Sequence, residues 1–402
     1  MKYIVLLGDG MSDEPLAAHG GKTPLEMAAT PAMDRLAQKG EIGLCQTIPA
    51  GMDPGSDVAN MSVMGYDPGK YYSGRSPIEA ASIGVPLSAA DVAFRCNLVT
   101  LAEKDGGLVM DDYSAGHIAT EDAADVIQAL KEKLDSDAFC FYPGVSYRHL
   151  MVWKNGQDRM KTTPPHDVSD KKIADYLPQG AGADRILALM DKSREILPAV
   201  AVNKRKTAKG EKPVSSIWLW GQGKRLALPS FPSRYGITGS VISAVDLIKG
   251  LGISAGLQSI DVQGATGYLD TNYQGKVDAA LQALDTGDFV YLHVEAPDEA
   301  SHKGSLEEKI RAIEDFDSRI VAKIVAGLER KFAAFRVLVM PDHPTPLHIK
   351  THAADPVPYA LYASGNPDRL ENDRIGYNEK DAAASGIVIE KGWELMNKFI
   401  RQ

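Results

Sequence analysis

Cysteine is scarce in this chain: Cys45, Cys96 and Cys140 are the only three among 402 residues. An odd, widely spaced set supplies neither a disulfide framework nor a clustered zinc site, and it fits a reducing compartment. Long apolar runs are missing too. The N-terminal run from Tyr3 to Leu7 is too short for the core of a secretory signal. No uncharged stretch approaches the ~20 residues of a membrane-crossing helix. Nor is there an excess of positive charge, since the formal net charge is -9. That balance argues against a chain-wide role on nucleic acid or on a membrane surface, although a few Lys and Arg can still gather in one cleft. Internal repeats and low-complexity tracts are also lacking. These absences predict a soluble, cytoplasmic protein with no nucleic-acid or membrane partner and no evident obligate protein partner.

What is present is a hydrophobic content of 44% over a length sufficient for two domains. The run from Tyr3 to Leu7 reads as a buried strand ended by Gly8-Asp9-Gly10. Thr30-Pro31 opens a helix that Gly40 closes, and a strand is predicted from Glu41 to Ile48. The loop Gly51-Met52-Asp53-Pro54-Gly55-Ser56 leads into a short helix. Further on, Asp91 to Leu101, Ala138 to Trp153 and Ser215 to Trp220 read as strands. Ala123 to Leu134 and Ala183 to Leu197 read as helices, and Lys204 to Pro213 as a basic loop. Val241 to Lys249 and Ile310 to Leu328 are predicted helical. Asp288 to Val294, Arg336 to Met340 and Val357 to Tyr362 are predicted strands. Strands alternating with helices predict an α/β fold with a mostly parallel sheet covered on both faces. The texture of the middle predicts a discontinuous core domain, 1–70 with 229–402, interrupted by a smaller inserted α+β domain over 71–228.

Three of the predicted strands run into residues of one chemical kind. The first ends at Asp9, the second at Glu295-Ala296-Pro297-Asp298 followed by His302, and the third at Pro341-Asp342-His343, with His352 close behind. Ligands gather outside the carboxyl ends of strands in parallel α/β sheets, so these ends would meet. Asp298 and His302 are four apart and share one face of a helix. Asp9, Asp298, His302, Asp342, His343 and His352 are too many donors for one four-coordinate ion and suit two, with Ser56 as a seventh ligand. Ser56 stands at a tight turn before a helix, where N–H groups favour phosphate oxygens. Two divalent ions ~4 Å apart clamp the attacking and leaving oxygens of a phosphoryl displacement. Asp with His suits Mn²⁺ first, with Zn²⁺, Co²⁺ or Mg²⁺ as alternatives.

The segments Asp9-Gly10-Met11, Asp53-Pro54-Gly55-Ser56-Asp57 with Asn60, Pro297-Asp298 with His302, Pro341-Asp342-His343 and Thr351-His352 resemble those of cofactor-independent phosphoglycerate mutases. That family lies within the alkaline phosphatase superfamily, and its short archaeal type is the nearest. The resemblance continues through Ser114-Ala115-Gly116-His117, Val145-Ser146-Tyr147-Arg148-His149, Trp218 to Gly223 and Gly264 to Tyr268, essentially the whole chain. It implies one metal on Asp298, His302 and His352, and a second on Asp9, Ser56, Asp342 and His343. It also implies a phosphoserine intermediate at Ser56, interconversion of 3-phosphoglycerate and 2-phosphoglycerate, and an inserted domain that closes over the substrate.

Phosphate and carboxylate groups call for cations, Arg above all. Arg148, Arg95, Arg225 and Lys276 are the candidate substrate contacts, with Lys224 beside them, and His117 and Asp167 are candidate proton carriers between the glycerate hydroxyls. Two other functions remain open to the sequence. One is a homoserine-phosphorylating relative with the same metal site, and the other is a non-catalytic metal-binding protein that retains the fold.

Overall fold

The computed structural model describes residues 1–365 and 375–401. The chain forms two compact units, Met1–Tyr72 with Ala227–Gln402, and Ser73–Leu226.

The first unit is built on an eight-stranded sheet in the order Gln258–Ser259, Gly239–Ile242, Phe289–Val294, Lys2–Gly8, Phe335–Met340, Val357–Ala363, Glu41–Cys45, Val388–Ile389. Only Val357–Ala363 runs antiparallel to its neighbours. Strands buried on both faces are almost continuously apolar, as Tyr-Ile-Val-Leu-Leu is, and as Phe-Val-Tyr-Leu-His-Val is except at His293. Side chains from the strands, among them Ile4, Leu292 and Val339, share a core with Tyr273, Phe316, Ile320 and Ile324 from the helices. Lys2–Gly8 lies between Phe289–Val294 and Phe335–Met340, parallel to both, with Leu7 opposite His293 and Met340. All three strands therefore release their chains at the same edge.

The second unit holds a five-stranded antiparallel sheet centred on Val92–Lys104, which pairs with Gly107–Asp112, Arg148–Trp153 and Ser216–Lys224. Helices Thr120–Leu134 and Ala183–Ile196 contribute to its core.

Several predicted elements differ in detail. The segment predicted as one strand from Ala138 to Trp153 is a hairpin, Phe139–Tyr142 and Arg148–Trp153, because Pro143-Gly144 cannot continue a ladder. The region predicted as a basic loop from Lys204 begins inside a helix, Ala201–Ala208. Val241 belongs to a strand, Gly239–Ile242, and the helix predicted there starts only at Asp246. β-branched Val241 and Ile242 fit the sheet they complete. The long helix over Ile310 to Leu328 is interrupted by a π turn at Phe316–Val321. There Asp317 turns inward and accepts hydrogen bonds from the Ala32 and Met33 N–H groups (3.2 and 2.7 Å), capping the helix Pro31–Lys39.

Candidate metal centre

Asp9 follows the first strand and its N–H donates to Val294 O across the sheet (2.9 Å). Gly10 comes next at φ +62°. A Cβ there would lie 2.6 Å from Asp298 Oδ1 and 2.7 Å from Thr345 Oγ1, so only glycine lets these segments meet. Gly10 and His343 both donate their N–H to Asp342 Oδ1 (3.2 and 2.9 Å). Asn60 Nδ2 donates to Asp342 Oδ2 (2.8 Å) and to Ser56 O (2.9 Å), while its own Oδ1 accepts from Tyr291 (2.6 Å). Asn60 thus ties the first turn of the helix Ser56–Val63 to the strand end that carries Asp342.

The seven donors named from the sequence converge within this unit. Ser56 Oγ is 3.1 Å from His343 Nε2. His343 Nε2 lies 3.5 Å from Asp9 Oδ1 and 3.3 Å from Asp342 Oδ2. Asp298 Oδ2 is 3.1 Å from His302 Nε2, Asp298 Oδ1 is 3.7 Å from His352 Nε2, and the two imidazole Nε2 atoms are 3.2 Å apart. Donor atoms of Asp9, Asp342 and His343, and likewise those of Asp298, His343 and His352, lie within 4.8 Å of one another.

The neighbours assign the tautomers. The Thr345 hydroxyl donates to Asp298 Oδ1 (2.6 Å), so its oxygen accepts from His343 Nδ1–H (3.2 Å) and the Nε2 lone pair faces the cluster. His302 Nδ1 donates to the Lys350 carbonyl (2.9 Å), which presents its Nε2 inward. Metal-ligating histidines are oriented in this way, with the outer nitrogen engaged and the inner one available.

The charge state of the cluster also fits a cation. Burial, with the neighbouring carboxylates Asp342, Asp298 and Glu295, pushes Asp9 well above the usual carboxylate range. Burial would raise Asp298 as well, but hydrogen bonds from His302 and His352 prevail and hold it well below. The Asp298 hydrogen bond lifts His302 to about 9. Asp9 Oδ1 is buried with no hydrogen-bond partner. Carboxylates crowded against inward-facing imidazoles, with one orphaned oxygen among them, are what a divalent cation satisfies.

A buried network holds the loops that carry the donor residues. Lys309 Nζ is fully enclosed. It pairs with Asp13 Oδ2 (2.7 Å) and donates to Ser12 O (3.1 Å) and Thr345 O (3.0 Å), joining the loop after Asp9 to the loop after His343. Lys309→Ala would strand the Asp13 carboxylate without its counter-charge. We expect a loss of about 3–5 kcal/mol of stability, read from urea unfolding; a loss below ~1 kcal/mol would show that the pair does not brace the loops.

In the second unit, Arg95 is buried. Its guanidinium lies over the Trp220 ring (4.7 Å) and pairs with Glu79 (3.3 Å), and burial lowers its pKa to about 10. Arg148 is exposed and stacks on Tyr147 (5.4 Å). A string of edge-on rings runs His117, Tyr147, Tyr113, His166, Trp220, with centroids 6.1, 5.8, 6.2 and 5.7 Å apart. Asp167 is exposed, 3.7 Å from His166 Nε2. Arg95, Arg148, His117 and Asp167 are therefore brought to one string of side chains. Arg225 is exposed just beyond the strand Ser216–Lys224, and Lys224 Nζ reaches Asp158 (4.0 Å). Lys276 differs from its expected place on a substrate. It is fully buried in the first unit, donates to His293 O (3.0 Å), and burial lowers its pKa to about 8. An ammonium enclosed in this way serves the strand it holds and offers no surface to a ligand.

Sequence reading gave no role to His293, Ser243, Thr345, Lys309 or His166. His166 adjoins Asp167 in Pro164-Pro165-His166-Asp167, and Asn60 stands within a segment already noted, so both carried a local signal. Thr345 stands two residues from His343, and His293, Ser243 and Lys309 become visible only through contacts far along the chain.

An α/β unit whose adjacent parallel strands deliver carboxylates and imidazoles to one edge, beside a helix-leading serine, has the make-up of a cation-dependent enzyme. Comparison with known proteins makes this specific. The model of the family described as 2,3-bisphosphoglycerate-independent phosphoglycerate mutase matches residues 37–203. The chain is 56% identical to a probable 2,3-bisphosphoglycerate-independent phosphoglycerate mutase of Geobacter sulfurreducens and 54% identical to the corresponding mutase of Methanothrix thermoacetophila, each over 100% of both chains. A solved cofactor-independent phosphoglycerate mutase from Thermoplasma acidophilum is similar at 25% identity and a TM-score of 0.67, over 100% of this chain and 99% of that one. The chain belongs to the 2,3-bisphosphoglycerate-independent phosphoglycerate mutase family, a family of isomerases, and membership implies use of divalent cations. Among the described residues, no helix is long and apolar enough to cross a membrane.

Proposed function

We propose that this protein interconverts 3-phosphoglycerate and 2-phosphoglycerate through a phosphoserine at Ser56, without bisphosphoglycerate, as a cytoplasmic enzyme of glycolysis and gluconeogenesis. The observation that carries this reading is the place of Ser56, at the head of a helix and 3.1 Å from an inward-facing imidazole of the donor cluster. Asp298, His302 and His352 would hold one divalent cation, and Asp9, Asp342, His343 and Ser56 a second, Mn²⁺ before Zn²⁺, Co²⁺ or Mg²⁺. Such ions lower the pKa of the serine hydroxyl and offset phosphate charge.

The residues of the chain then do the following. Asn60 fixes the turn that presents Ser56 Oγ. That oxygen gives up its proton and bonds to phosphorus as the bond to the glycerate 3-oxygen breaks, and the glycerate oxygen gains a proton. The helix N–H groups face the phosphoryl oxygens. The retained glycerate turns, its 2-hydroxyl loses a proton and takes the phosphoryl group, and Ser56 is restored. His117 and Asp167 carry the protons between the hydroxyls. Arg95 and Arg148 recognise the anionic groups of the substrate, with Arg225 as a further contact. Exclusion of water during the phosphoserine interval separates a mutase from a phosphatase.

The names of the similar proteins do not favour homoserine phosphorylation. An enolase-coupled assay tests the proposal, with purified protein, 3-phosphoglycerate, Mn²⁺ and no bisphosphoglycerate, and with homoserine plus ATP in parallel. Mutase turnover alone is expected. Phosphorylated homoserine with no mutase turnover would overturn the substrate assignment.

A further inference from the structure

We propose that His293 is a positioning residue for Asp9, held in its turn by Ser243, so that one oxygen of the Asp9 carboxylate is fixed by an imidazole N–H and the other is reserved for a divalent cation. The inference rests on the reading of Asp9 as a cation ligand.

His293 is fully buried in the strand Phe289–Val294. Its Nε2 lies 2.8 Å from Asp9 Oδ2 and its Nδ1 lies 3.1 Å from Ser243 Oγ. A cation on Oδ1 would keep the Asp9 carboxylate ionised, and an imidazole nitrogen can face an ionised carboxylate at this distance only by donating, so in that state Nε2 carries the proton and Nδ1 is the acceptor. The Ser243 hydroxyl must then donate to Nδ1. This leaves its oxygen to accept, and it does accept the Val245 N–H at 2.9 Å. Each group in Val245, Ser243, His293 and Asp9 thus has one role, and the direction of donation runs toward the carboxylate. The far end of the chain is Asp9 Oδ1, which is buried, lacks a hydrogen-bond partner and faces His343 Nε2 at 3.5 Å.

Lys276 completes the device. Its ammonium donates to the carbonyl of His293 and fixes the backbone from which the ring projects. A carboxylate free to rotate would exchange its two oxygens and present the cation with a softer, less directed ligand. Holding Oδ2 prevents this, as outer hydrogen bonds do for ligands in other metal sites.

The test is a calorimetric titration of Mn²⁺ into the full chain, stripped of metal by chelator and dialysed, with bound metal counted by elemental analysis. His293→Leu is expected to weaken binding about 10–100-fold with no change in the number of ions bound. His293→Gln keeps a side-chain N–H and is expected to recover most of the affinity. Ser243→Ala is expected to fall between them, because without the hydroxyl the ring proton is free to move to Nδ1. The melting temperature of the metal-free protein reports folding of each variant. Should His293→Leu not fold, Ser243→Ala decides, and unchanged affinity there overturns the inference. Asp9→Asn separates the two levels of the argument. Lost binding in Asp9→Asn with unchanged binding in His293→Leu overturns the positioning role and leaves the metal centre standing, whereas unchanged binding in both overturns the metal-centre reading itself. Donor atoms of Asp9, His293 and Glu295 also lie within 4.8 Å of one another. One ion fewer per chain in both His293→Leu and His293→Gln would make His293 a direct ligand and overturn the positioning role.

Discussion

Ser56→Ala is expected to abolish mutase turnover, by at least about 10⁴-fold, while the chain stays folded. The hydroxyl is the nucleophile in the proposed reaction, and no neighbouring side chain can supply its oxygen. The fold has little stake in it, since the Ser56 hydroxyl is turned to His343 Nε2 (3.1 Å) and not to the helix backbone. The turn is held from elsewhere: Asp57 Oδ1 accepts the Val58 N–H (3.0 Å), Tyr72 donates to Asp57 Oδ2 (2.6 Å), and Asn60 grips the Ser56 carbonyl. Two measurements check the expectation. The enolase-coupled rate should vanish in the variant, and rapid acid quenching of the unsubstituted protein with substrate should leave a phosphoryl group on the peptide containing Ser56. Residual turnover within tenfold of the unsubstituted protein, or phosphate recovered on another residue, would remove Ser56 from this role.

Removal of divalent cations should be nearly as severe. Without cations, Asp9, Asp342, Asp298 and Glu295 crowd together, and burial with the neighbouring carboxylates already drives Asp9 well above its ordinary pKa. Chelation should therefore stop turnover and lower the melting temperature, and added Mn²⁺ should restore both. The pH dependence of binding has a definite sign. Asp298 raises His302 to about 9, so in the cation-free protein at neutral pH this imidazole carries an extra proton. A cation at His302 Nε2 must displace it. Apparent affinity should therefore rise with pH up to about 9 and weaken below, by about tenfold per pH unit for this one proton. Proton release on Mn²⁺ binding, measured in buffers of different ionisation enthalpy, checks the sign. Turnover that survives exhaustive chelation would show that the cluster works without cations.

The seven donor residues were legible in the sequence because each follows a short apolar run or sits in a compact motif. A strand buried on both faces has to be apolar, so the first carboxylate or imidazole after it marks where the chain leaves the sheet. Asp9 and Asp342 declare themselves in this way, as does Glu295, three residues before Asp298, and the spacing of Asp298 and His302 is a helical turn. The same logic hid His293. It lies inside the apolar run and reads as one more strand residue, while its partners Asp9 and Ser243 are 284 and 50 positions away. Ser243 was obscured further, since the segment around it was expected to be helical and instead closes a strand. Lys309 carries no signal in the sequence, and Lys276 reads there as a cation for the substrate. Only packing shows that both ammonium groups are enclosed, one paired with Asp13 and the other donating to a strand carbonyl.

By itself, then, the sequence determined the fold class, the family and the chemical kinds of residue at the ends of three strands. These depend on local patterning: apolar periodicity, turn residues and short motifs. The tertiary structure alone decided which strands are neighbours, which nitrogen of each histidine faces inward, which oxygen of Asp9 is held and which is left open, and that Lys276 is a brace for His293. The physical reason is that hydrogen-bond direction and burial belong to pairs of groups brought together across hundreds of residues. A donor's role is fixed only when its acceptor is in place.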